Sequence, residues 1–469
     1  MDAGPISLPY RRYALGLLLA VNLLNYIDRQ VLFAVFPLIK IDLSLSDTAL
    51  GFLGSAFMLS YLLFAPLFGW LGDHWSRTRL ASGGLVVWSL ATALAGFAPG
   101  YRTLLAARAT VGVGEASFGT VSPGLIADFF PKERRGQILA FFYVAIPVGS
   151  ALGYLLGGVL GQRYGWHAAF LLVGAPGLLL AIPLALLRTP PRGGISANLS
   201  KNVSDILPPL QGEGRGGDGV DCGISARCKN EAHPPPNLPL EGGGTKNTKL
   251  AIMLPKGEGK RATAGYAALF RNRSFVCNTL AMAAMTFAIG GLAQWIPSFL
   301  YRAHSLDVAK ANTLFGATTV LAGILGTLSG GWLGDRWQKR SGKGYLLISG
   351  WGFLIGTPFA AWAILAPGLT TCMSAIFIAE FFLFLNTGPL NTVIINVTNP
   401  AVRAMAFAVN IFFIHALGDA VSPSILGWLS DQWGLRSALL ITPLTMVLAG
   451  LFCFICGRFV VKDMEQAEG

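Results

Sequence analysis

Runs of about twenty apolar residues, broken by short polar or Gly/Pro segments, recur along nearly the whole chain, and a helix needs roughly that length to cross a bilayer. Twelve runs are present, at residues 13–38, 48–71, 79–98, 103–127, 136–160, 166–187, 274–300, 311–333, 344–366, 369–397, 402–428 and 436–460. They predict an all-α membrane protein with twelve transmembrane helices. The first run is no cleavable leader, because Asn25, Asp28 and Arg29 interrupt it and no small-residue cleavage site follows. Between the sixth and seventh runs the pattern lapses. Residues 188–273 hold stretches such as Leu207-Pro-Pro-Leu-Gln-Gly and Pro234-Pro-Pro-Asn-Leu-Pro, which cannot bury enough surface to order themselves. The chain therefore divides into a six-helix half (1–187), a flexible linker (188–273) and a second six-helix half (274–469).

An internal repeat supports that division. Gly69-Trp-Leu-Gly-Asp73-His-Trp-Ser-Arg77 after the second run recurs as Gly331-Trp-Leu-Gly-Asp335-Arg-Trp-Gln-Lys339 after the eighth. Gly161-Gln-Arg-Tyr-Gly165 after the fifth is echoed by Ser430-Asp-Gln-Trp-Gly434 after the eleventh. Each copy falls at the same point of its half, and parallel repeats of this kind place a binding site between the halves near the bilayer midplane.

Composition agrees with a lipid-facing protein. Hydrophobic residues make up 53% of the 469 and charged residues only 12%, about half the share of an ordinary soluble domain. The net charge of +12 does not point to nucleic acid, since no basic run with interleaved aromatics occurs in a polar stretch. The basic residues instead sort by loop. Arg11, Arg12, Arg77, Arg79, Lys132, Arg134, Arg135, Arg336, Lys339, Arg340, Lys343, Arg403, Arg458 and Lys462 lie on the side of the termini, against Lys40, Arg102, Arg163, Arg302, Lys310 and Arg436 on the other. By the positive-inside rule both termini and the linker are cytoplasmic, as in a multi-pass protein of the inner (plasma) membrane. The six cysteines suggest neither a disulfide scaffold nor a metal site, and the Cys453-x-x-Cys456 pair lies within an apolar helix without a second ligand pair.

The pattern Gly69-x-Leu71-x-Asp73-x-x-x-Arg77-x-Arg79, its copy from Gly331, and Arg108-x-x-x-Gly112-x-Gly114 resemble the signature loops of the major facilitator superfamily. Asn25-Tyr-Ile-Asp28-Arg29, the segment from Gly112 through Glu115 and Pro123 to Asp128, and Phe142-Tyr-Val-Ala-Ile-Pro147-Val-Gly-Ser-Ala-Leu-Gly153 resemble its Spinster group of lysolipid and sphingolipid transporters. The first of these elements also resembles organic-anion symporters of the same superfamily, and the long linker departs from the compact Spinster pattern.

Charges at bilayer depth are costly and usually face a cavity or a partner. Asp28 falls near the middle of the first run and Glu115 near the middle of the fourth, with Arg108 two helical turns before Glu115 on the same face. A carboxylate kept from water favours its proton and a nearby guanidinium favours its ionised form, so changing contacts can load and unload a proton. This makes Asp28 the main proton-carrying candidate and Glu115 its helper. Arg108 is either their counter-ion or the anchor of an anionic head group. The family resemblance implies the same roles. A static pair of Arg108 with either carboxylate is the alternative. Arg29 points about 100° from Asp28 on a helix and is expected to serve a different neighbour; it ranks below Arg108 as a substrate-binding residue, and for a small organic anion either arginine would hold the carboxylate. Glu380, and His415 with Asp419 four residues on, are the substrate-binding candidates of the second half.

Asp73, Arg77, Arg79, Asp128, Arg134, Arg135, Asp335, Arg336 and Arg340 lie at turns on the termini side, where they can latch one half to the other or simply cap loops. Pro147, Gly149, Gly153 and Gly157 form a small-residue ladder, either a sliding contact between halves or plain close packing. Phe141, Phe142, Tyr143, Trp295 and Phe299 can line a cavity for an acyl chain or pack.

The resulting expectation is a monomeric, proton-driven secondary transporter that needs no cofactor and moves an amphipathic anionic lipid such as a lysophospholipid or sphingoid phosphate. Rivals are a proton symporter for a small organic anion of the hexuronate or aromatic-acid type, and a receptor or scaffold that transports nothing. An intramembrane enzyme is disfavoured, because the histidines are scattered over loops and one helix without a nucleophile or metal cluster.

Overall fold

The computed structural model describes residues 7–130, 132–190, 267–399 and 402–468, so nearly all of the linker expected at 188–273 lies outside the described residues. The first half comprises α1 (Leu8–Ala34), α2 (Phe36–Asp42), α3 (Asp47–His74), α4 (Arg77–Ala95), α5 (Tyr101–Phe129), α6 (Lys132–Tyr143) and α7 (Ala145–Ala185). The second comprises α8 (Arg273–Ala303), α9 (Val308–Gln338), α10 (Gly344–Leu365), α11 (Leu369–Leu385), α12 (Thr387–Val397), α13 (Arg403–Ile414), α14 (Ser422–Trp433), α15 (Leu435–Leu439), α16 (Ile441–Cys456) and α17 (Val460–Glu468). A five-residue π-helical turn, His415–Asp419, separates α13 from α14.

Among the described residues, ten helices are long and apolar enough to cross a membrane. One of these, Phe141–Ala185, runs for 45 residues and passes twice, because Gly165 (φ 83°, ψ 161°) turns the chain back between Tyr164 and Trp166. The return is visible in its packing: Gly149 and Gly157 lie successively against Tyr26 and Ala34 of α1, whereas Gly174 and Gly177 lie against Ala93 and Ser89 of α4. The remaining pass is α5, whose hydropathy is lowered by Arg102, Arg108, Glu115 and Asp128. Ten, one and one make the twelve passes expected from sequence.

The repeat is visible in local geometry. Gly434 (φ 80°) ends α14 as Gly165 breaks α7, a conformation that side chains rarely adopt. Ser44 (φ 51°) and Ser305 (φ 52°) occupy the left-handed region in the loops before α3 and α9. Each is followed, two residues on, by an N-cap: Ser46 accepts from the Ala49 N–H, and Asp307 from the Lys310 N–H.

The glycine ladder packs within one half. A Cβ at Gly149, Gly153 or Gly157 would come 2.7 Å from the Cβ of Tyr26, Gln30 or Ala34, all on α1. The sliding contact between halves is therefore not what these glycines provide; they seat α7 on α1. On this face a close approach between halves is made instead by the neighbouring Gly158, where a Cβ would lie 2.9 Å from that of Asn312 on α9. Gly153→Val is expected to destabilise the protein by about 1–3 kcal/mol through overpacking, read as a lowered Tm in detergent.

Side-chain bonds join the halves at the end opposite the chain termini. Arg302 of α8 holds Asp47 of α3 through two N–H bonds of 2.7 and 2.8 Å. Asn312 donates to the Ala34 carbonyl (3.0 Å), and the Tyr154 hydroxyl to that of Ala293 (2.5 Å). Trp295 and Phe299 are buried; Trp295 packs with its ring 5.5 Å from Phe36 across the junction, and Phe299 borders the cavity at this end beside Asp47 and Arg302.

Candidate functional site

The helical twist separates Asp28 from Arg29 as expected, but their partners differ from expectation. Asp28, 1% exposed, turns to α4, beside Trp88 and Thr92, and its Oδ1 has no hydrogen-bond partner among the described residues. Arg29 crosses to α5, where its Nε donates to Glu115 Oε2 at 2.6 Å. The Arg29 guanidinium sits in an aromatic cage, 5.0 Å from the Tyr26 and Phe57 ring centroids and 5.4 Å from that of Tyr61. Arg29, set apart from this network by the sequence argument, is thus the residue that neutralises Glu115.

Arg108 is wholly buried, and Nε, Nη1 and Nη2 all lack a hydrogen-bond partner among the described residues. Its guanidinium lies 5.3 Å from the Phe57 ring and within electrostatic reach of both Glu115 and Asp28. The static hydrogen-bonded pair of Arg108 with either carboxylate is not formed. Glu115 Oε1 is also without a partner. One end of a buried network is therefore satisfied, and the other presents a bare guanidinium beside two unfilled carboxylate oxygens. Such groups are expensive to bury unless a ligand, water or proton fills them.

Across the interface the second half offers two further polar groups. Glu380 Oε1 accepts from the Thr319 hydroxyl at 2.9 Å, while Oε2 has no hydrogen-bond partner among the described residues; Tyr154 of the first half lies within its electrostatic reach. His415 Nδ1 lies 2.9 and 3.0 Å from the two Asp419 carboxylate oxygens, inside the π-helical turn. Gly290 of α8 makes room for that turn, since a Cβ there would come 2.5 Å from the Cβ of Asp419. Asp419 also lies within electrostatic reach of Tyr26, which connects it to the cage around Arg29. No feature of the residue pattern signals the π-helical turn.

At the termini end, the described bonds of the expected latch run within each half. Arg77 Nη1 meets Asp128 at 2.9 Å and Nη2 meets Asp73 at 3.4 Å, all in the first half. Asp335 accepts from the Tyr345 hydroxyl at 2.7 Å, and the Arg336 guanidinium stands 5.8 Å from the Trp332 ring, both in the second. Arg79, Arg134 and Arg340 are exposed, and the Arg135 side chain lies outside the described residues. Among the described residues, no group of three or more His, Cys, Asp or Glu side chains is arranged to hold a metal ion.

Comparison with known proteins identifies the architecture. Residues 18–423 match the Major Facilitator Superfamily. Spinster homolog 1 of Xenopus laevis is 30% identical over 96% of this chain and 81% of its own length. The chain belongs to the Spinster family of the Major Facilitator Superfamily. Spinster homolog 1 of Homo sapiens is 32% identical over 88% of this chain and 71% of its own length. The sphingosine-1-phosphate transporter SPNS2 of Mus musculus is 32% identical over 95% and 77%. Among solved structures, a bacterial homolog of the human lysosomal transporter Spinster, in an inward-facing and occupied conformation, superposes with a TM-score of 0.77 at 24% identity, covering 98% of this chain and 99% of that one. The D-xylose-proton symporter shares the fold at a TM-score of 0.67 and 16% identity, over 95% of this chain and 97% of that one. This Spinster-family protein is therefore a multi-pass membrane transporter, and the family points away from an enzyme.

Proposed function

We propose that this Spinster-family transporter is proton-coupled, works by alternating access, and moves an amphipathic anionic lipid, a lysophospholipid or a sphingoid phosphate. The observation that carries the reading is Arg108, a guanidinium fully removed from solvent, without a hydrogen-bond partner, beside Asp28 and Glu115. An uncompensated buried cation is strongly destabilising, so its retention fits a charge that is engaged only for part of a cycle. Guanidinium is well matched to a phosphate in fork geometry. When phosphate neutralises Arg108, the adjacent carboxylates lose a counter-charge, and a proton on Asp28 becomes favourable. Anion and proton then bind together and leave together. Arg29 holds one oxygen of Glu115 in its cage, which leaves Asp28, without such a bond, as the main proton carrier and Glu115 as its helper.

Glu380 complements this in the second half: its unfilled oxygen suits the ammonium of a zwitterionic head group. The His415–Asp419 pair faces the same region through Tyr26. The similarity to the mouse sphingosine-1-phosphate transporter supports a lipid phosphate as cargo. The loop charges favour cytoplasmic termini in the plasma membrane, and regrouping of Asp73, Arg77, Asp128, Asp335 and Arg336 across the halves would close the termini end in the opposite state. The protein acts as a monomer in this reading.

Arg108→Gln tests the anchor. Lysophosphatidic acid titrated into the purified transporter is expected to bind about 30-fold or more weakly to the variant, while its Tm stays level or rises because a buried unpaired charge is gone. Equal binding of a neutral monoacylglycerol, or no loss in the variant, contradicts the assignment.

A further inference from the structure

The repeat that builds the two halves also builds their junction at the end away from the termini, and it does so with unequal chemistry. In the paired echoes, Gln162 and Asp431 hold the same position, three residues before Gly165 and Gly434. Each reaches across to cap a helix of the other half. Gln162 Oε1 accepts from the Ala309 N–H of α9 at 2.8 Å. Asp431 accepts from the Asp47 and Thr48 N–H groups of α3, each at 2.8 Å, and from the Thr48 hydroxyl at 2.6 Å.

Beyond the caps the two sides part. On the α9 side the first helical residue is Val308, and the junction consists of neutral contacts: Gln162 on a backbone N–H, Asn312 on the Ala34 carbonyl, and Gly158 against Asn312. On the α3 side the first helical residue is Asp47, 2% exposed, and its carboxylate gathers Arg302, Lys40 and Ser430. Arg302, Ser430 and Asp431 belong to the second half, Lys40 and Asp47 to the first. Small residues let the helices meet under this cluster: a Cβ at Gly51 would come 2.2 Å from the Pro423 carbonyl oxygen, and one at Gly427 would come 2.3 Å from that of Asp47. The cluster lines a cavity of about 570 Å³, shared by Lys40, Asp47, Arg302, Ser430 and Asp431.

We propose that this end of the transporter is held shut by one charged latch, Asp47 gripped by Arg302, Ser430 and Asp431, while its pseudo-symmetric counterpart at Gln162 and Asn312 is a neutral contact that does not set the opening equilibrium. Separation of α3 from α8 and α14 strips the Asp47 carboxylate of two of its three partners, Arg302 and Ser430, takes Asp431 off the Asp47 and Thr48 N–H groups, and leaves the carboxylate with Lys40 and water. The Gln162 side loses only neutral hydrogen bonds, which water replaces at small net cost. Opening at this end is therefore governed by the α3 side.

The inference rests on the alternating-access reading, and its test separates the two. Ser55, buried about two turns beneath Asp47 and bonded by the Ser424 hydroxyl at 2.7 Å, serves as reporter. Ser55→Cys, in the full chain with its native cysteines replaced by Ser, is labelled by a membrane-impermeant maleimide in vesicles of each orientation. Added Asp47→Asn or Asp431→Asn is expected to speed labelling from the side of this junction about tenfold, and Gln162→Ala by less than about twofold. If Asp47→Asn disturbs folding, Arg302→Gln carries the same expectation. Unchanged labelling in the latch variants, or an equal effect of Gln162→Ala, overturns the proposal. Lipid flux by the native chain, measured in parallel, reports on alternating access independently: flux with labelling indifferent to the latch sinks the latch alone.

Discussion

Asp28→Asn is expected to lower proton-gradient-driven accumulation of labelled lysophospholipid at least about tenfold, to near the level of protein-free liposomes, while leaving lysophospholipid binding within about threefold of native. Asparagine keeps the size and the contacts with Trp88 and Thr92 but cannot carry the proton. Asp28 makes no hydrogen-bonded ion pair among the described residues, and Arg108 keeps Glu115 within electrostatic reach when Asp28 is replaced, so the folded state should survive. A variant that still accumulates cargo against a gradient moves the proton site elsewhere, with Glu115 and the His415–Asp419 pair next in line. A variant that fails to bind moves Asp28 into substrate recognition.

Glu115→Gln has the opposite profile. It removes the anion hydrogen-bonded to Arg29, a side chain 19% exposed, and breaking a buried pair by deleting one partner costs about 3–5 kcal/mol. The faces of Tyr26, Phe57 and Tyr61 offset a part of this, about 1–2 kcal/mol, so a net loss of about 2–3 kcal/mol should appear as a lower Tm. Arg29→Gln on the same background should recover a portion of the loss by removing the stranded cation, and the coupling of the two substitutions can be read from a double-mutant cycle. Additive losses would mean that the 2.6 Å contact contributes little. The contrast with Arg108→Gln is diagnostic: two arginines near one glutamate, one structural and one awaiting an anion, predict Tm changes of opposite sign.

Much of this was legible before any coordinates. Lipid leaves helices no choice but long apolar runs, so the passes and the two halves followed from hydropathy, and the Trp-Leu-Gly-Asp repeat fixed their equivalence. Even the two-pass reading of residues 136–187 followed, because Gly165 interrupts a run too long for one crossing. The seven-residue spacing correctly put Arg108 and Glu115 on one face. What spacing could not supply was partner choice. Arg29 reaches Glu115 because Phe57 and Tyr61 of α3 form a cage that steers its long side chain, and that arrangement depends on how three helices meet. The glycine ladder was visible as a ladder, but its companion surface was α1 and not the other half, which only packing decides. The charged junction at Asp47 was missed, although its signals were present: Ser46-Asp47 as a helix start, Arg302 at a helix end, and an acidic residue in one echo where the other carries Gln162.

The central claim is that the buried Arg108, Asp28 and Glu115 couple protons to an anionic lipid. Its most direct test is the movement of labelled lysophospholipid into proteoliposomes holding the native chain, with and without an imposed pH gradient, alongside a small organic anion such as a hexuronate. Gradient-dependent lipid accumulation with no hexuronate uptake is the predicted result. Hexuronate accumulation without lipid movement would contradict the account and make Arg108 the anchor of a small carboxylate.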